Sequence, residues 1–106
     1  MCEAIVDPGV CGFIAKVKAK MDGDMCALEI ACDCEPIQAM AKELAQVDPM
    51  VEIGFHGEGP LVLKMFAKHC PHPACTVPSG ILKAVEVAAG LALPRDASIT
   101  ITRGDE

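Results

Sequence analysis

Side chains that bind soft metal ions are concentrated in residues 69–75, which read His-Cys-Pro-His-Pro-Ala-Cys. Thiolates and imidazoles are the ligands that zinc and iron prefer in proteins. The stretch leads directly into a long apolar segment, and a cysteine beside a helix start is also a common way to make a reactive thiol. The sequence therefore indicates chemistry based on thiolates, although it specifies no reaction.

A second group of cysteines could complete a metal site. Cys32 and Cys34 are separated by one residue, and Cys34 directly precedes a predicted helix. Neither cysteine pair has the Cys-x2-Cys spacing that is typical of zinc knuckles. The clustering of donors nevertheless favours a domain that binds zinc or an iron-sulfur cluster. The predicted ligands are Cys34, Cys70 and Cys75, together with His72 or Cys11.

Two other functions fit the same residues. In the first, Cys75 is the nucleophile of a thiol-based redox or transfer enzyme, with Cys70 or Cys34 as the resolving thiol. No accompanying Asp, Asn or oxyanion-binding element can be identified, so we assign no catalytic residue and leave open whether the protein is an enzyme. In the second, the domain is a non-catalytic interaction module whose cysteines are packed as small hydrophobic residues.

Several of the cysteines and histidines have simpler structural interpretations. Cys26 and Cys32 fall on the apolar face of a predicted strand and are expected in the core, while Cys2 is interpreted as a frayed-end residue. For Cys11, ligand and structural roles are equally open. His69 is interpreted as a cation at a helix C-terminus rather than as a ligand.

The composition limits the class of protein. With 106 residues, of which 52% are apolar, the chain is long enough for one domain, expected to span residues 1–106. Seven is an odd number of cysteines and no signal peptide is recognised, so we expect a cytoplasmic protein with reduced thiols. The formal net charge of -6 disfavours nucleic acid as a partner, and no segment is apolar for long enough to span a membrane.

The hydrophobic pattern predicts an antiparallel hairpin near the start of the chain. Residues 13–20 alternate apolar side chains with lysines, and residues 25–32 alternate again. Between them, the Asp22-Gly23 pair is typical of a tight hairpin turn.

The rest of the chain is predicted to contain three helices and two short strands. The helices are expected from residue 36 to the Asp48-Pro49 pair, over about 60–69 and over 79–91, and the strands over 50–55 and 97–102. We therefore predict a two-layer α+β fold, an antiparallel β-hairpin plus one or two further strands with about three helices on one face. The third helix is apolar on most sides, so it is either the central helix or part of an interface, and we expect a homodimer.

A simple alternation of these elements also predicts where the loops lie. It places Cys11, Cys32 and Cys34 at one end of the sheet and the 70–75 loop at the opposite end. A single four-ligand site would then require the second helix to lie across the sheet or to turn early.

Some of these features together resemble a known family. They are Cys34 before a helix, the loop from Cys70 to Cys75, and the run of residues 77–86 that continues to 90–94. The combination is similar to a small cysteine-containing family of uncharacterised prokaryotic proteins found largely in anaerobes. The resemblance covers most of the chain and implies no particular activity. An anaerobic setting would favour oxygen-sensitive metal or thiol chemistry.

Overall fold

A four-stranded antiparallel sheet and four helices make up the fold in the computed structural model, which describes residues 1–105. The strands lie across the sheet in chain order: β1 (Cys2–Val6), β2 (Ala15–Asp22), β3 (Met25–Ala31) and β4 (Gln46–Val47). The helices are α1 (Glu35–Lys42), α2 (Pro49–Glu52), α3 (Leu61–His69) and α4 (Val77–Ala88). The predicted α+β class with an open antiparallel sheet is confirmed.

β2 and β3 form the predicted hairpin. Gly23 occupies the turn with a φ of 63°, a conformation that glycine adopts without steric cost. The register places Val17 opposite Ile30 and Met21 opposite Cys26 on the face that the helices cover. The lysines of β2 are exposed on the other face, which leaves that side of the sheet open.

β1 was not predicted, and the interpretation of Cys2 as a frayed-end residue is wrong. Cys2 is half-buried and lies opposite Ala19 of β2, and Ala4 lies opposite Val17. Helix α4 packs on both β1 and β2. The prediction missed the strand because residues 2–6 alternate over too few positions to stand out in a single sequence.

The predicted strand at residues 50–55 is also wrong. Asp48 caps a one-turn helix instead, since its side chain accepts a hydrogen bond from the Met50 N–H at 3.0 Å and Pro49 occupies the first helical turn. The Asp48-Pro49 pair, interpreted as the end of a helix, is therefore the start of α2. The first helix already ends at Lys42, because residues 46–47 pair with β3 as β4.

Helix α2 also fixes the start of α3. Glu52 is 4% exposed, and its two carboxylate oxygens accept hydrogen bonds from the backbone N–H groups of Leu61 and Val62 at 2.9 and 2.8 Å. These are among the N–H groups that a helix N-terminus leaves without an intrahelical partner. Glu52 thus joins two helices through a buried, charged cap.

Residues 97–102 do not form a strand within this chain, contrary to the prediction. Every described residue from Gly90 onward is exposed, and residues 92–105 carry no helix or strand. The alternating pattern of Ile99 and Ile101 is suited to a strand, but a strand requires a neighbour to accept and donate its backbone hydrogen bonds. Within residues 1–105 no such neighbour adjoins the segment.

The core lies between the sheet and the helices. Five residues of α4 are buried and four of them belong to this core, so the helix predicted over 79–91 is the central helix of the fold. Cys26 is fully buried, as predicted. No helix within residues 1–105 is both long and apolar enough to cross a membrane. The buried apolar residues are Ala15, Val17, Ala19, Cys26, Leu28, Ile37, Met40, Leu44, Val47, Val62, Val77, Ile81, Ala84 and Val85.

Candidate functional site

Five cysteines lie beside elements that pack together, since α3 contacts both α1 and α4, and α4 packs on β1 and β2. We call Cys11, Cys32, Cys34, Cys70 and Cys75 the thiol cluster. Cys11 lies in the loop between β1 and β2, Cys32 and Cys34 follow β3, Cys70 ends α3, and Cys75 precedes α4. All five are free thiols.

Two of these five thiols have a raised pKa, in part because of the others. Burial raises the pKa of the Cys70 thiol, and the thiols of Cys34 and Cys75 raise it further. Burial likewise raises the pKa of Cys75, and so do Cys11, Cys34 and Cys32. Such repulsion between like charges requires proximity. The cluster therefore joins the two groups of cysteines that the sequence left apart.

The expectation that the 70–75 loop lies at the opposite end of the sheet from Cys34 is wrong. It counted residues 50–55 as a strand that crosses the sheet. Because α2 is a single turn, the chain reaches α3 without the crossing of the sheet that the prediction assumed. α3 packs against α1, and the Cys34 thiol at the start of α1 contributes to the raised pKa of Cys70 at the end of α3.

Cys34 and Cys32 are held by the start of α1. Cys34 is the N-cap residue, and its carbonyl accepts the hydrogen bond of the Gln38 N–H at 3.0 Å. The Gln38 side chain donates to the carbonyl of Cys32 at 2.9 Å, and the Cys32 thiol donates to the Phe13 carbonyl at 3.4 Å. Cys32 was considered as a ligand beside Cys34 but was interpreted as a core residue, and it does pack against the core. Its position at the core-facing end of a strand is the signal that could have indicated both roles.

Cys75 is held at the start of α4. Its N–H donates to the carbonyl of His72 at 3.2 Å, which closes the proline-rich loop into a turn. The backbone N–H of Val77, in the first turn of α4, lowers the pKa of Cys75, although burial and the other thiols outweigh it. Beside it, Thr76 Oγ1 is buried and has no hydrogen-bond partner among residues 1–105. The start of α4 therefore presents both an N–H group and an unsatisfied hydroxyl near the cluster.

The segments that carry the thiol cluster contain no lysine or arginine. Residues 7–14, 31–38 and 69–80 include Asp7, Asp33 and Glu35 but no fixed positive charge. Thiolates are usually stabilised by a nearby cation, a helix N-terminus or a bound metal ion. The local charge thus favours a bound cation over an isolated thiolate.

The remaining predicted ligands are exposed. Cys11 and His72 both lie in loops and face solvent. Within residues 1–105, no three side chains of histidine, cysteine or acidic residues are already in position to hold a metal ion. Binding by the cluster would therefore require these side chains to rearrange.

His69 is occupied elsewhere. Its Nε2 contacts a carboxylate oxygen of Glu43, and Lys68 donates to the same carboxylate at 3.0 and 3.1 Å. The hydrogen bonds from His69 and Lys68 lower the pKa of Glu43. This contact joins the C-terminal ends of α1 and α3 and agrees with the interpretation of His69 as a residue of a helix end rather than a ligand.

A shallow groove of about 530 Å³ between β4, α2 and α3 contains none of the cysteines. Its acidic residues already have partners: Asp48 caps α2, Glu52 caps α3, and Glu58 pairs with Lys64 at 2.8 Å. Two of these three carboxylates therefore have a structural role as helix caps. The thiol cluster remains the better candidate site.

The cluster makes a prediction about thiol reactivity. In reduced, metal-free protein, we expect Cys75 to react with iodoacetamide at neutral pH no faster than glutathione, because its raised pKa keeps the thiol protonated. Peptide mass spectrometry over a time course would measure the rate at each cysteine, with the exposed Cys11 as a control for access. A Cys75 rate well above that of glutathione would contradict this prediction and would favour the thiol-enzyme alternative.

The fold and the thiol cluster define a small α+β domain with an open antiparallel sheet and cysteines gathered at one end. The chain belongs to a family of unknown function, DUF6951, whose family model matches residues 2–101. No curated protein and no solved structure gives a significant match. The resemblance to a family of uncharacterised proteins is confirmed to this extent.

Proposed function

We propose that the protein binds a metal ion or an iron-sulfur cluster through the thiol cluster. The observation that carries this proposal is the convergence of three segments, since α3 packs against both α1 and α4. Besides burial, the thiols of Cys34 and Cys75 raise the pKa of Cys70, and the thiol of Cys34 raises that of Cys75. The fourth ligand would be Cys11 or Cys32, whose thiols contribute to the raised pKa of Cys75, or His72, which lies between Cys70 and Cys75 in the chain. Thiolate-rich donor sets of this kind are typical of zinc and of iron-sulfur clusters.

Metal binding offsets the unfavourable electrostatics of the site. Several thiols in a partly buried, anionic environment resist ionisation when no cation is present. A bound cation would reverse this by stabilising the thiolates, and each protonated thiol that becomes a ligand would release one proton. We therefore expect metal affinity to fall as the pH is lowered. A reducing cytoplasm, and an anaerobic one for an iron-sulfur cluster, is the setting that this function requires.

The thiol-enzyme alternative has less support. The Val77 N–H beside Cys75 is a feature of activated cysteines, but the net pKa of Cys75 is raised rather than lowered. A nucleophilic cysteine near neutral pH requires a lowered pKa or an adjacent base. No hydrogen bond joins Cys75 to a histidine ring within the described residues.

The test is elemental analysis of untagged protein purified without oxygen, together with its ultraviolet and visible spectrum. We expect stoichiometric zinc, or iron and sulfide with charge-transfer absorption. The Cys70→Ser/Cys75→Ser variant should lose this metal, whereas Cys2→Ser, which changes a half-buried cysteine outside the cluster, should retain it. Single serine variants of Cys11 and Cys32 and a His72→Asn variant would then identify the fourth ligand.

Two outcomes would overturn the proposal. One is wild-type protein that contains no metal and cannot be reconstituted with zinc or with iron and sulfide under reducing conditions. The other is full metal content in the Cys70→Ser/Cys75→Ser variant. Circular dichroism of each variant would separate loss of a ligand from loss of the fold.

A further inference from the structure

The segment of residues 97–103 has the pattern of a strand but no neighbour. Ile99 and Ile101 are 73% and 88% exposed, and they alternate with hydroxyl side chains. Such alternation is typical of a strand with one apolar face. No backbone hydrogen bond of residues 92–105 is formed within the described chain outside its helices and strands, and the segment belongs to neither.

Strand β1 has a free edge, because among the described residues it has a neighbouring strand on one side only. β1 is the first strand of the sheet and pairs only with β2 among residues 1–105. On the open face of the sheet its Ile5 is 74% exposed, beside Lys16 of β2. An exposed strand edge with an apolar side chain is a template for the addition of another strand.

Residues 97–103 and the outer edge of β1 are complementary in length, polarity and charge. β1 has five residues, and the segment has enough residues to pair along all of it. An antiparallel arrangement that places Ile5 opposite Ile101 also places Glu3 opposite Arg103. Cross-strand pairs of apolar residues and of opposite charges both stabilise antiparallel sheets.

We propose that residues 97–103 of one copy add as an antiparallel strand to the β1 edge of a second copy, and that the exchange is reciprocal. This arrangement covers the β1 edge of each copy in a closed, two-fold dimer. β4 is the less suitable acceptor because it has only two residues. The proposal specifies the predicted homodimer but locates its interface at β1 rather than at the apolar helix α4. It does not depend on metal binding.

Charge reversal provides the test, with sedimentation velocity of the full chain under reducing conditions as the measurement. Wild-type protein should dimerise. Glu3→Arg alone and Arg103→Glu alone should each raise the dimer dissociation constant by roughly tenfold, because each puts like charges opposite one another at two symmetric sites. An equimolar mixture of the two variants should recover dimers, since both contacts in the mixed dimer are again between opposite charges.

The mixing result distinguishes the exchange from other arrangements. If the segment paired with β1 of its own chain, mixing the variants would recover nothing. A second variant, Thr100→Pro, removes a backbone donor and should abolish the dimer, whereas Asp105→Pro, outside the paired stretch, should not. A monomeric wild-type protein, a dimer that survives Thr100→Pro, or a mixture that behaves like its components would each overturn the proposal.

Discussion

Replacement of Glu52 by alanine is expected to lower the free energy of unfolding by about 2–4 kcal/mol. The Glu52 carboxylate is buried and accepts hydrogen bonds from the N–H groups of Leu61 and Val62. Without this carboxylate, the backbone N–H groups of Leu61 and Val62 at the start of α3 lose their acceptor, and Val62 is itself fully buried. Each unsatisfied buried group carries a desolvation penalty, which is larger than the net value of an ordinary hydrogen bond. Chemical denaturation followed by circular dichroism would measure the change.

Two further variants make this test specific. Glu52→Gln keeps one carbonyl oxygen as an acceptor, so its stability should fall between those of the wild type and the alanine variant. Glu58→Ala removes an exposed carboxylate that pairs with Lys64 of α3. This substitution should change the stability little, because exposed ion pairs usually contribute little. If Glu52→Ala and Glu58→Ala lowered the free energy of unfolding equally, the capping of α3 by Glu52 would contribute no more to stability than an exposed ion pair.

Those parts of the fold with strong local signals could be predicted from the sequence. The β2–β3 hairpin combines strict alternation with an Asp-Gly turn, and α3 and α4 have apolar residues at helical spacing. The errors occurred where a tertiary interaction decides the structure. β4 exists because Val47 pairs with Cys26, and α2 exists because Asp48 and Pro49 start a helix within a run of apolar residues that also suits a strand.

The candidate site was predicted in its members but not in its assembly. Cys34, Cys70 and Cys75 stood out by their positions next to helices, and the thiol of Cys34 contributes to the raised pKa of both Cys70 and Cys75. Their proximity could not be predicted because it depends on the number of times the chain crosses the sheet before α3. The mistaken strand at residues 50–55 added a crossing of the sheet that the one-turn α2 does not make. Cys32 was considered beside Cys34 but left out of the predicted ligands, since the pattern of a strand shows which face a residue occupies but not what lies at the strand's end.

The close approach of α4 to β1 leads to a second stability prediction, at Gly80. A Cβ atom at this position would lie 2.2 Å from Cγ2 of Val6. In an exposed helix, replacement of glycine by alanine stabilises by about 1 kcal/mol. At Gly80 we expect the opposite sign, a loss of about 1–3 kcal/mol, because the strand must move or Val6 must adopt another rotamer.

A double-mutant cycle with Val6 tests whether this one contact is the cause. Val6→Ala removes the atom that the new Cβ would meet, so Gly80→Ala should cost much less in that background, with a coupling free energy of about 1–2 kcal/mol. Ser79→Ala, at an exposed neighbouring position of α4, is the control for helix propensity alone and should not couple to Val6. Additive effects of the Val6 and Gly80 substitutions would show that the loss at Gly80 does not come from its contact with Val6. Because α4 begins two residues after Cys75, a displacement of α4 by the new Cβ would also displace Cys75.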